Sequence, residues 1–90
     1  MKNVLNDEIN ELYEVIINIK DKKECQEFFD DLCTYKEINS MAQRLKAAKL
    51  LIEEKTYENI IKETDISSAT LSRISRCVKY GNGYKSVIKK

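Results

Sequence analysis

The sequence contains no proline, no histidine and no tryptophan, and it has only two glycines among 90 residues. Proline and glycine most strongly disfavour helix interiors, and both glycines, Gly81 and Gly83, lie near the end of the chain. Helices can therefore run without interruption up to residue 80, and the sequence predicts an all-α fold. A chain of this length is predicted to form a single domain over residues 1–90.

The absence of histidine and of any Cys-x-x-Cys pair argues against a metal site. Cys25, Cys33 and Cys77 are an odd number of cysteines, which disfavours a disulfide framework. We expect Cys25 and Cys33 to be small buried hydrophobic residues in a reducing cytoplasm. The sequence also lacks a phosphate-binding glycine loop and a cysteine with a nearby base. It therefore predicts a protein without catalytic residues, metal or cofactor.

Long apolar runs are missing as well. No run approaches the roughly 18 apolar residues of a membrane span, and the N-terminal stretch is polar from residue 6 onward. We expect no membrane partner, no signal peptide and a cytoplasmic location.

Acidic residues are absent from residue 66 onward. Residues 1–65 contain ten basic and fifteen acidic residues, a net charge of −5, whereas residues 66–90 contain six basic residues, a net charge of +6. The formal charge of the whole chain, +1, hides this asymmetry. A basic half is expected to attract a polyanionic partner, although a solvated basic tail would have the same composition.

Apolar residues at intervals of three and four positions predict helices over about residues 4–19, 22–33 and 35–54. The third helix is apolar on more than one side: one face carries Ile38, Met41, Ala42, Leu45, Ala48 and Ile52, and other faces carry Ala47, Leu50 and Leu51. A helix of this kind needs apolar cover on several sides. We expect it to be the central helix, with part of its cover from a partner chain, and we assign residues 1–54 to dimerisation.

Residues that favour helix N-termini precede several of the predicted helices. Asp21, Thr56 and Ser67 are candidate N-caps, and Thr34 with Glu37 fits a capping box. These positions predict where the second to fifth helices begin.

Two short helices, about residues 57–63 and 68–79, are joined by "TDISS" and predict a helix-turn-helix over residues 56–79. Ile66 should fill the gap between the two helices. Asp65 suits a tight turn, because aspartate tolerates left-handed backbone conformations. The remaining residues, 80–90, are a short basic tail whose "SVIKK" forms a last helical turn or frays.

The fifth predicted helix has two distinct faces. Leu71, Ile74 and Val78 point inward, and Ala69, Ser72, Arg73 and Arg76 point outward. Small side chains let a helix enter the major groove, and arginines further along can pair with phosphates or guanine. The alternative is an amphipathic helix with merely solvated serines and arginines, which the lack of acids disfavours. We expect DNA contacts from these residues: Thr56, Ser67, Ser68, Ala69, Thr70, Ser72, Arg73, Arg76 and Lys79.

Two long segments carry a recognisable pattern: "LCTYKEINSMAQRLKAAKLLIEEKTYENI" (32–60) and "ISSATLSRISRCVKYGNGY" (66–84). Together they resemble the tryptophan-repressor-like family, in particular its YerC/YecD-type branch. The resemblance implies an intertwined all-helical homodimer, in which the N-terminal helices of one chain pack around the central helix of the other. It also implies that two helix-turn-helix units face successive major grooves of double-stranded DNA, about 34 Å apart, and regulate transcription as a repressor.

The same resemblance implies a ligand pocket between the central and recognition helices. The family's tryptophan contacts, carried over by motif, fall on Thr34, Arg44, Thr70 and Arg73. The chain departs from the pattern beside Arg73, where Ile74 replaces a glycine that leaves room for the indole, and Cys77 replaces a serine further on. We therefore expect that tryptophan is not the corepressor, and that a different small molecule or no ligand is bound.

A second kind of function uses the same basic segment. A small helical protein-interaction module could dock an acidic protein partner through its basic C-terminal half. Sequence-selective binding of duplex DNA would favour the regulator over the interaction module.

Overall fold

The structure, a computed structural model, describes residues 2–88, and the side chains from residue 6 onward. It contains six helices, and residues 2–88 contain no strand, which confirms the all-α prediction. The helices are α1 Lys2–Ile17, α2 Lys22–Leu32, α3 Tyr35–Ile52, α4 Tyr57–Glu63, α5 Ser68–Tyr80 and α6 Gly83–Val87. Backbone contacts divide the chain into two compact units, residues 1–35 and residues 36–90.

The first five helices lie within about two residues of their predicted bounds. The last helix differs from the prediction. It covers Gly83–Val87 instead of "SVIKK", and Lys89 and Lys90 lie outside the described residues. Tyr84 and Ile88 pack against the core of the second unit, so apolar burial stabilises this short helix.

Three predicted N-caps are confirmed by hydrogen bonds. The Glu24 amide donates to Asp21 Oδ1 over 2.8 Å, and the amides of Asn59 and Thr70 each donate over 3.1 Å to the hydroxyls of Thr56 and Ser67. Each bond satisfies an amide that has no partner inside its helix. The predicted capping box of Thr34 and Glu37 stays a prediction, although α3 does begin at Tyr35 as it requires.

A Schellman motif ends α3. The Lys55 amide donates to the Leu50 carbonyl over 3.0 Å, and the Glu54 amide donates to the Leu51 carbonyl over 2.9 Å. Glu54 has a φ of 67°, and within residues 2–88 it is the one non-glycine residue whose φ is positive. Asp65 lies in the turn between α4 and α5 as expected, but the turn does not use the left-handed conformation that aspartate tolerates.

The buried core of the second unit joins α3, α4 and α5. Its members are Ala47, Ala48, Ile60, Leu71 and Ile74. Half-buried apolar side chains pack around it, among them Ile66 in the turn and Val78 of α5. The predicted inward face of α5 and the plugging role of Ile66 are both confirmed.

The apolar faces predicted on α3 are only partly buried within the described residues. Ala47 and Ala48 are fully buried, but Met41 and Leu45 remain 45% and 46% exposed. The two alanines are covered because they face α4 and α5, whereas the described chain leaves the Met41 and Leu45 side open.

The first unit shows still less burial. No side chain among residues 6–35 is buried, and Ile9, Leu12 and Val15 are 41%, 37% and 43% exposed. Cys25 and Cys33 were expected to be buried but are half-buried, and Cys25, Cys33 and the exposed Cys77 are all free thiols. Phe28 and Phe29 meet edge to face, with ring centroids 5.4 Å apart. Apolar burial inside the described chain is thus concentrated in the second unit.

Candidate nucleic-acid interface

The two helices α4 and α5 are joined by four residues, Thr64–Ser67, which is the length of a helix-turn-helix connection. Thr64 is the C-cap of α4 and is buried. Its backbone amide and its hydroxyl both donate to the Ile60 carbonyl, over 3.0 and 2.7 Å. Ser67 then caps α5. The turn is therefore closed at both ends by specific hydrogen bonds.

The packing of α5 fixes which side of the helix faces solvent. Leu71 and Ile74 are buried against α3 and α4, and Ser75 is buried beside them. The opposite side carries Ala69, Ser72, Arg73 and Arg76, all exposed, and we refer to these four residues as the basic face. The first turn of α5 holds no acidic residue, so no carboxylate offsets the positive end of the helix dipole there.

Eight of the nine residues expected to contact DNA are exposed: Thr56, Ser67, Ser68, Ala69, Ser72, Arg73, Arg76 and Lys79. Thr70 is half-buried, and its hydroxyl accepts a hydrogen bond from the Ser67 hydroxyl over 3.1 Å. Thr56 and Ser67 use their side chains as helix caps. The other exposed residues have side chains directed away from the core and available to a partner.

One residue of α3 bonds to the turn and another bonds to the end of α4, and the sequence interpretation missed both. Gln43 Oε1 accepts from the Asp65 amide over 3.1 Å, and Lys46 Nζ donates to the Glu63 carbonyl over 3.0 Å. Their signal in the sequence is the spacing of three residues, which places both on one side of α3 beside the buried Ala47. That spacing indicates a shared face, but it does not identify the partner of either side chain.

An open depression of about 440 Å³ lies beside the basic face. It is lined by Arg73, Arg76, Cys77, Tyr80 and Gly81. Of the four residues expected to form a ligand pocket, Arg73 lines this depression, and the exposed Arg44 and the half-buried Thr70 do not. Thr34 is exposed and belongs to the first unit. The structure therefore brings only one of the expected pocket residues to this depression.

Ile74 is 3% exposed and belongs to the core cluster. Its side chain is packed against buried neighbours, including Leu71 on the same helix. The resemblance noted above implies a glycine at this position, and the isoleucine side chain occupies space that a glycine would leave empty.

A second, mostly apolar depression of about 550 Å³ also includes Cys77 in its lining. It is formed by Leu45 of α3, the end of α5 and the short helix α6, with Tyr84, Val87 and Ile88 contributing apolar surface. Cys77 and Gly81 line both depressions.

Residues 2–88 contain no helix that is long and apolar enough to cross a membrane. Within the same residues, no group of three or more cysteine and carboxylate side chains is arranged to hold a metal ion.

The fold and this surface define an all-α protein with a helix-turn-helix. A sequence model described as "Trp repressor protein" matches residues 7–90. The uncharacterized protein YerC of Bacillus subtilis (strain 168) is 52% identical over 75 residues, which are 83% of this chain and 72% of YerC. The chain therefore belongs to the Trp repressor family, as its sequence motifs predicted.

Two crystal structures share the fold. One is of a TrpR-like protein from Eubacterium eligens ATCC 27750, with a TM-score of 0.83 and 37% identity, covering 93% of this chain and 94% of that one. The other is of a Staphylococcus aureus protein described as a candidate Trp repressor, with a TM-score of 0.84 and 39% identity, covering 90% of this chain and 82% of that one. Both similarities cover at least 90% of this chain and support the same family assignment.

Proposed function

We propose that this protein is a transcriptional regulator that binds double-stranded DNA in a sequence-specific manner, as a homodimer, and represses transcription. The observation that carries the proposal is the basic face of α5: two arginines and two small residues lie on the side opposite the buried Leu71 and Ile74. A helix with this surface fits a major groove, because its small residues permit close approach and its arginines can reach guanine or phosphate.

The charge distribution supports a polyanionic partner. Six basic residues and no acidic ones follow residue 65, and Arg73, Arg76 and Lys79 are exposed on one helix. Phosphate contacts supply much of the affinity for DNA, whereas base contacts supply the specificity. Membership of the Trp repressor family supports the same function. We also propose a cytoplasmic location, since the relatives are bacterial and their DNA lies in the cytoplasm.

The test is selection of bound duplexes from a random pool, followed by affinity measurements at several salt concentrations. We expect enrichment of a palindromic site and an affinity that falls with a slope of about −0.9 per neutralised phosphate in log salt. Arg76→Ala should weaken binding to the selected site about tenfold or more, since a bidentate contact is worth about 1–3 kcal/mol. Lys36→Ala removes the same charge from the start of α3 and is the matched control.

Two outcomes would count against the regulator. If no sequence is enriched and Arg76→Ala binds as the parent protein does, the DNA-binding proposal fails. Salt-sensitive binding to any polyanion, without sequence preference, would instead favour the interaction module that docks an acidic partner.

The homodimer proposal is supported by the distribution of exposed apolar side chains. Leu12 of the first unit and Met41 and Leu45 of α3 are each more than a third exposed, and residues 6–35 bury no side chain. Exposed apolar surface on this scale in a small chain marks an interface. A second copy of the chain would cover it if the N-terminal helices of one protomer pack around α3 of its partner.

We further propose that tryptophan is not the corepressor. The support is Ile74, whose buried side chain lies where the family pattern leaves space for an indole. In a thermal-shift assay, a ligand at 100 times its Kd stabilises the folded protein by about 2.7 kcal/mol. Tryptophan should give no such stabilisation, and the same screen over other amino acids and indoles would identify a different ligand. Stabilisation by tryptophan would contradict this proposal.

A further inference from the structure

The turn of the helix-turn-helix is anchored from outside the motif by two polar side chains of α3. Gln43 accepts from the amide of Asp65 over 3.1 Å, and Lys46 donates to the carbonyl of Glu63 over 3.0 Å. The two backbone groups lie on either side of Thr64, whose own hydroxyl is bonded inside α4. Hydrogen bonds from α3 thus hold the last residue of α4, Glu63, and the second residue of the turn, Asp65.

We propose that Gln43 and Lys46 are positioning residues for DNA recognition: they anchor the turn to the central helix and thereby hold α5 at the orientation that its basic face needs. The inference rests on the proposed DNA-binding function and adds residues that do not themselves contact DNA. Because α5 begins at Ser68, three residues after Asp65, a shift of the anchored amide is passed directly to the first turn of the recognition helix.

The composition of the core explains why directional bonds are needed here. The contribution of α3 to the buried cluster is Ala47 and Ala48, whose side chains are single methyl groups, and Leu50 and Leu51 pack against the cluster while remaining half-buried. Two methyl groups allow close approach of α4 and α5, but apolar contacts have no preferred direction, and short side chains interlock little. Hydrogen bonds weaken steeply with a change of angle or distance, so the bonds from Gln43 and Lys46 restrict sliding along α3.

The two anchors are expected to differ in strength. Both bonds are exposed to water, but the Gln43 side chain is half-buried and therefore loses less conformational freedom when it accepts from the Asp65 amide. Lys46 is exposed, and its bond competes with water, although its charge also complements the negative C-terminal end of α4. We expect loss of the Gln43 bond to lower affinity for the selected duplex about tenfold and loss of the Lys46 bond about threefold.

The experiment compares removal of each anchor with a change that preserves it. Gln43→Met removes the acceptor, whereas Gln43→Glu keeps an oxygen for the Asp65 amide. Lys46→Met removes the donor, whereas Lys46→Arg keeps it. Asn39→Met and Lys49→Met are matched controls, because both residues are exposed and lie on α3 within about one turn of an anchor.

Two measurements are made on each variant. Amide hydrogen exchange of Asp65, without DNA, reports the Gln43 bond directly. Affinities for the selected duplex and for a random duplex, over a range of salt, report recognition. We expect Gln43→Met to lose protection at Asp65 and to bind the selected duplex about tenfold more weakly, with little change on the random duplex. Gln43→Glu and Lys46→Arg should restore most of the affinity, and the controls should match the parent protein.

The outcomes distinguish failure of the positioning role of Gln43 and Lys46 from failure of the proposed DNA-binding function. If the parent protein selects no duplex, the regulator proposal and the positioning role fall together, while exchange at Asp65 still reports the bond. If the parent protein is selective and Gln43→Met keeps full affinity despite faster exchange at Asp65, only the positioning role is overturned. A salt slope reduced by about 0.9 in Lys46→Met would assign Lys46 a phosphate contact and would overturn its positioning role.

Discussion

At the scale of single residues, Ser67 combines a structural role with a proposed role in binding. Its hydroxyl accepts from the Thr70 amide and donates to the Thr70 hydroxyl, and the residue lies at the exposed start of α5. A cap at this position determines whether the recognition helix begins in the correct place. The two roles can be separated, because a carboxylate can replace the cap but would repel a phosphate backbone.

Ser67→Ala should lower the free energy of unfolding by about 1 kcal/mol, because the Thr70 amide loses its acceptor. Ser67→Asp should keep that stability, since aspartate is an equally good N-cap next to the positive end of the helix. The same variant should bind DNA more weakly than the parent protein. Urea denaturation and duplex titration measure the two effects, and Ser68→Ala is the control for the first. Equal stability of Ser67→Ala and the parent protein would contradict the capping role.

Gly81, the C-cap of α5, lies too close to the backbone of the helix to carry a side chain without a shift. Its amide donates to the Cys77 carbonyl over 2.8 Å, and a Cβ added at Gly81 would lie 2.7 Å from that same oxygen. A backbone oxygen cannot move aside as a flexible side chain does. Gly83, two residues later, has nothing within 4 Å of an added Cβ.

We therefore expect Gly81→Ala to destabilise the protein by about 1–2 kcal/mol through this close contact. Gly83→Ala should be neutral or slightly stabilising, because alanine favours the first turn of α6. Thermal unfolding of the two variants side by side tests the difference. Similar melting temperatures for both would show that the end of α5 can adjust to a methyl group at Gly81.

At the scale of elements, the end of α3 carries a residue in an unfavourable backbone conformation. Glu54 closes the Schellman motif with φ 67°, a region that glycine occupies without steric cost. The neighbouring Glu53 is also exposed and acidic, and its amide donates to the Lys49 carbonyl in ordinary helical fashion. The two glutamates therefore form a matched pair that differs in backbone conformation.

Glu54→Gly should raise the free energy of unfolding by about 0.5–1 kcal/mol, because removal of the left-handed strain exceeds the entropy cost of glycine. Glu53→Gly should lower it by a similar amount, since glycine is unfavourable in helical backbone. Both variants lose the same charge, so the difference between their free energies of unfolding reports the effect of the backbone conformation at each position. A loss of stability in both would show that Glu54 is not strained in solution.

The elements also show how much of the fold can be predicted from sequence. The bounds of α1 to α5 and the caps at Asp21, Thr56 and Ser67 follow from spacing and residue type, because these are interactions within a few residues. The position of α6 was predicted less well. Its start at Gly83 depends on burial of Tyr84 and Ile88 against the core of the second unit, which overrides the poor helix propensity of glycine.

At the scale of the whole molecule, the distribution of apolar surface is uneven. The second unit has a buried cluster of five residues, whereas residues 6–35 have none. The described side chains of these two helices, residues 6–32, therefore gain little from apolar burial, which is the main favourable contribution to folding. Stability of the first unit is therefore expected to depend on association.

In light scattering at micromolar concentration, the protein should give a mass near twice 10.5 kDa. Its melting temperature should rise with protein concentration, because association stabilises the folded form by mass action. Leu12→Glu, on the apolar side of α1, should shift the mass toward that of the monomer or unfold the first unit. Glu11→Gln, a change at an exposed acidic neighbour, should leave both properties unchanged. A stable parent monomer would rule out the intertwined dimer.

The sequence by itself determined the helical class, the family, the positions of most helices and the basic face of α5. These features depend on periodicity, on cap residues and on the absence of acids after residue 65, all of which are local or compositional. Ile74 could likewise be identified as an inward residue from its place on the wheel, and its burial agrees with that.

Only the tertiary structure decided which side of α3 is covered, where the left-handed residue lies and what holds the turn. Ala47 and Ala48 are buried while Met41 and Leu45 are not, because burial depends on which helices pack nearby and not on periodicity alone. The bond from Gln43 to Asp65 joins residues 22 positions apart. Spacing along a helix indicates which side chains share a face, but the partner of each side chain is set by folding in three dimensions.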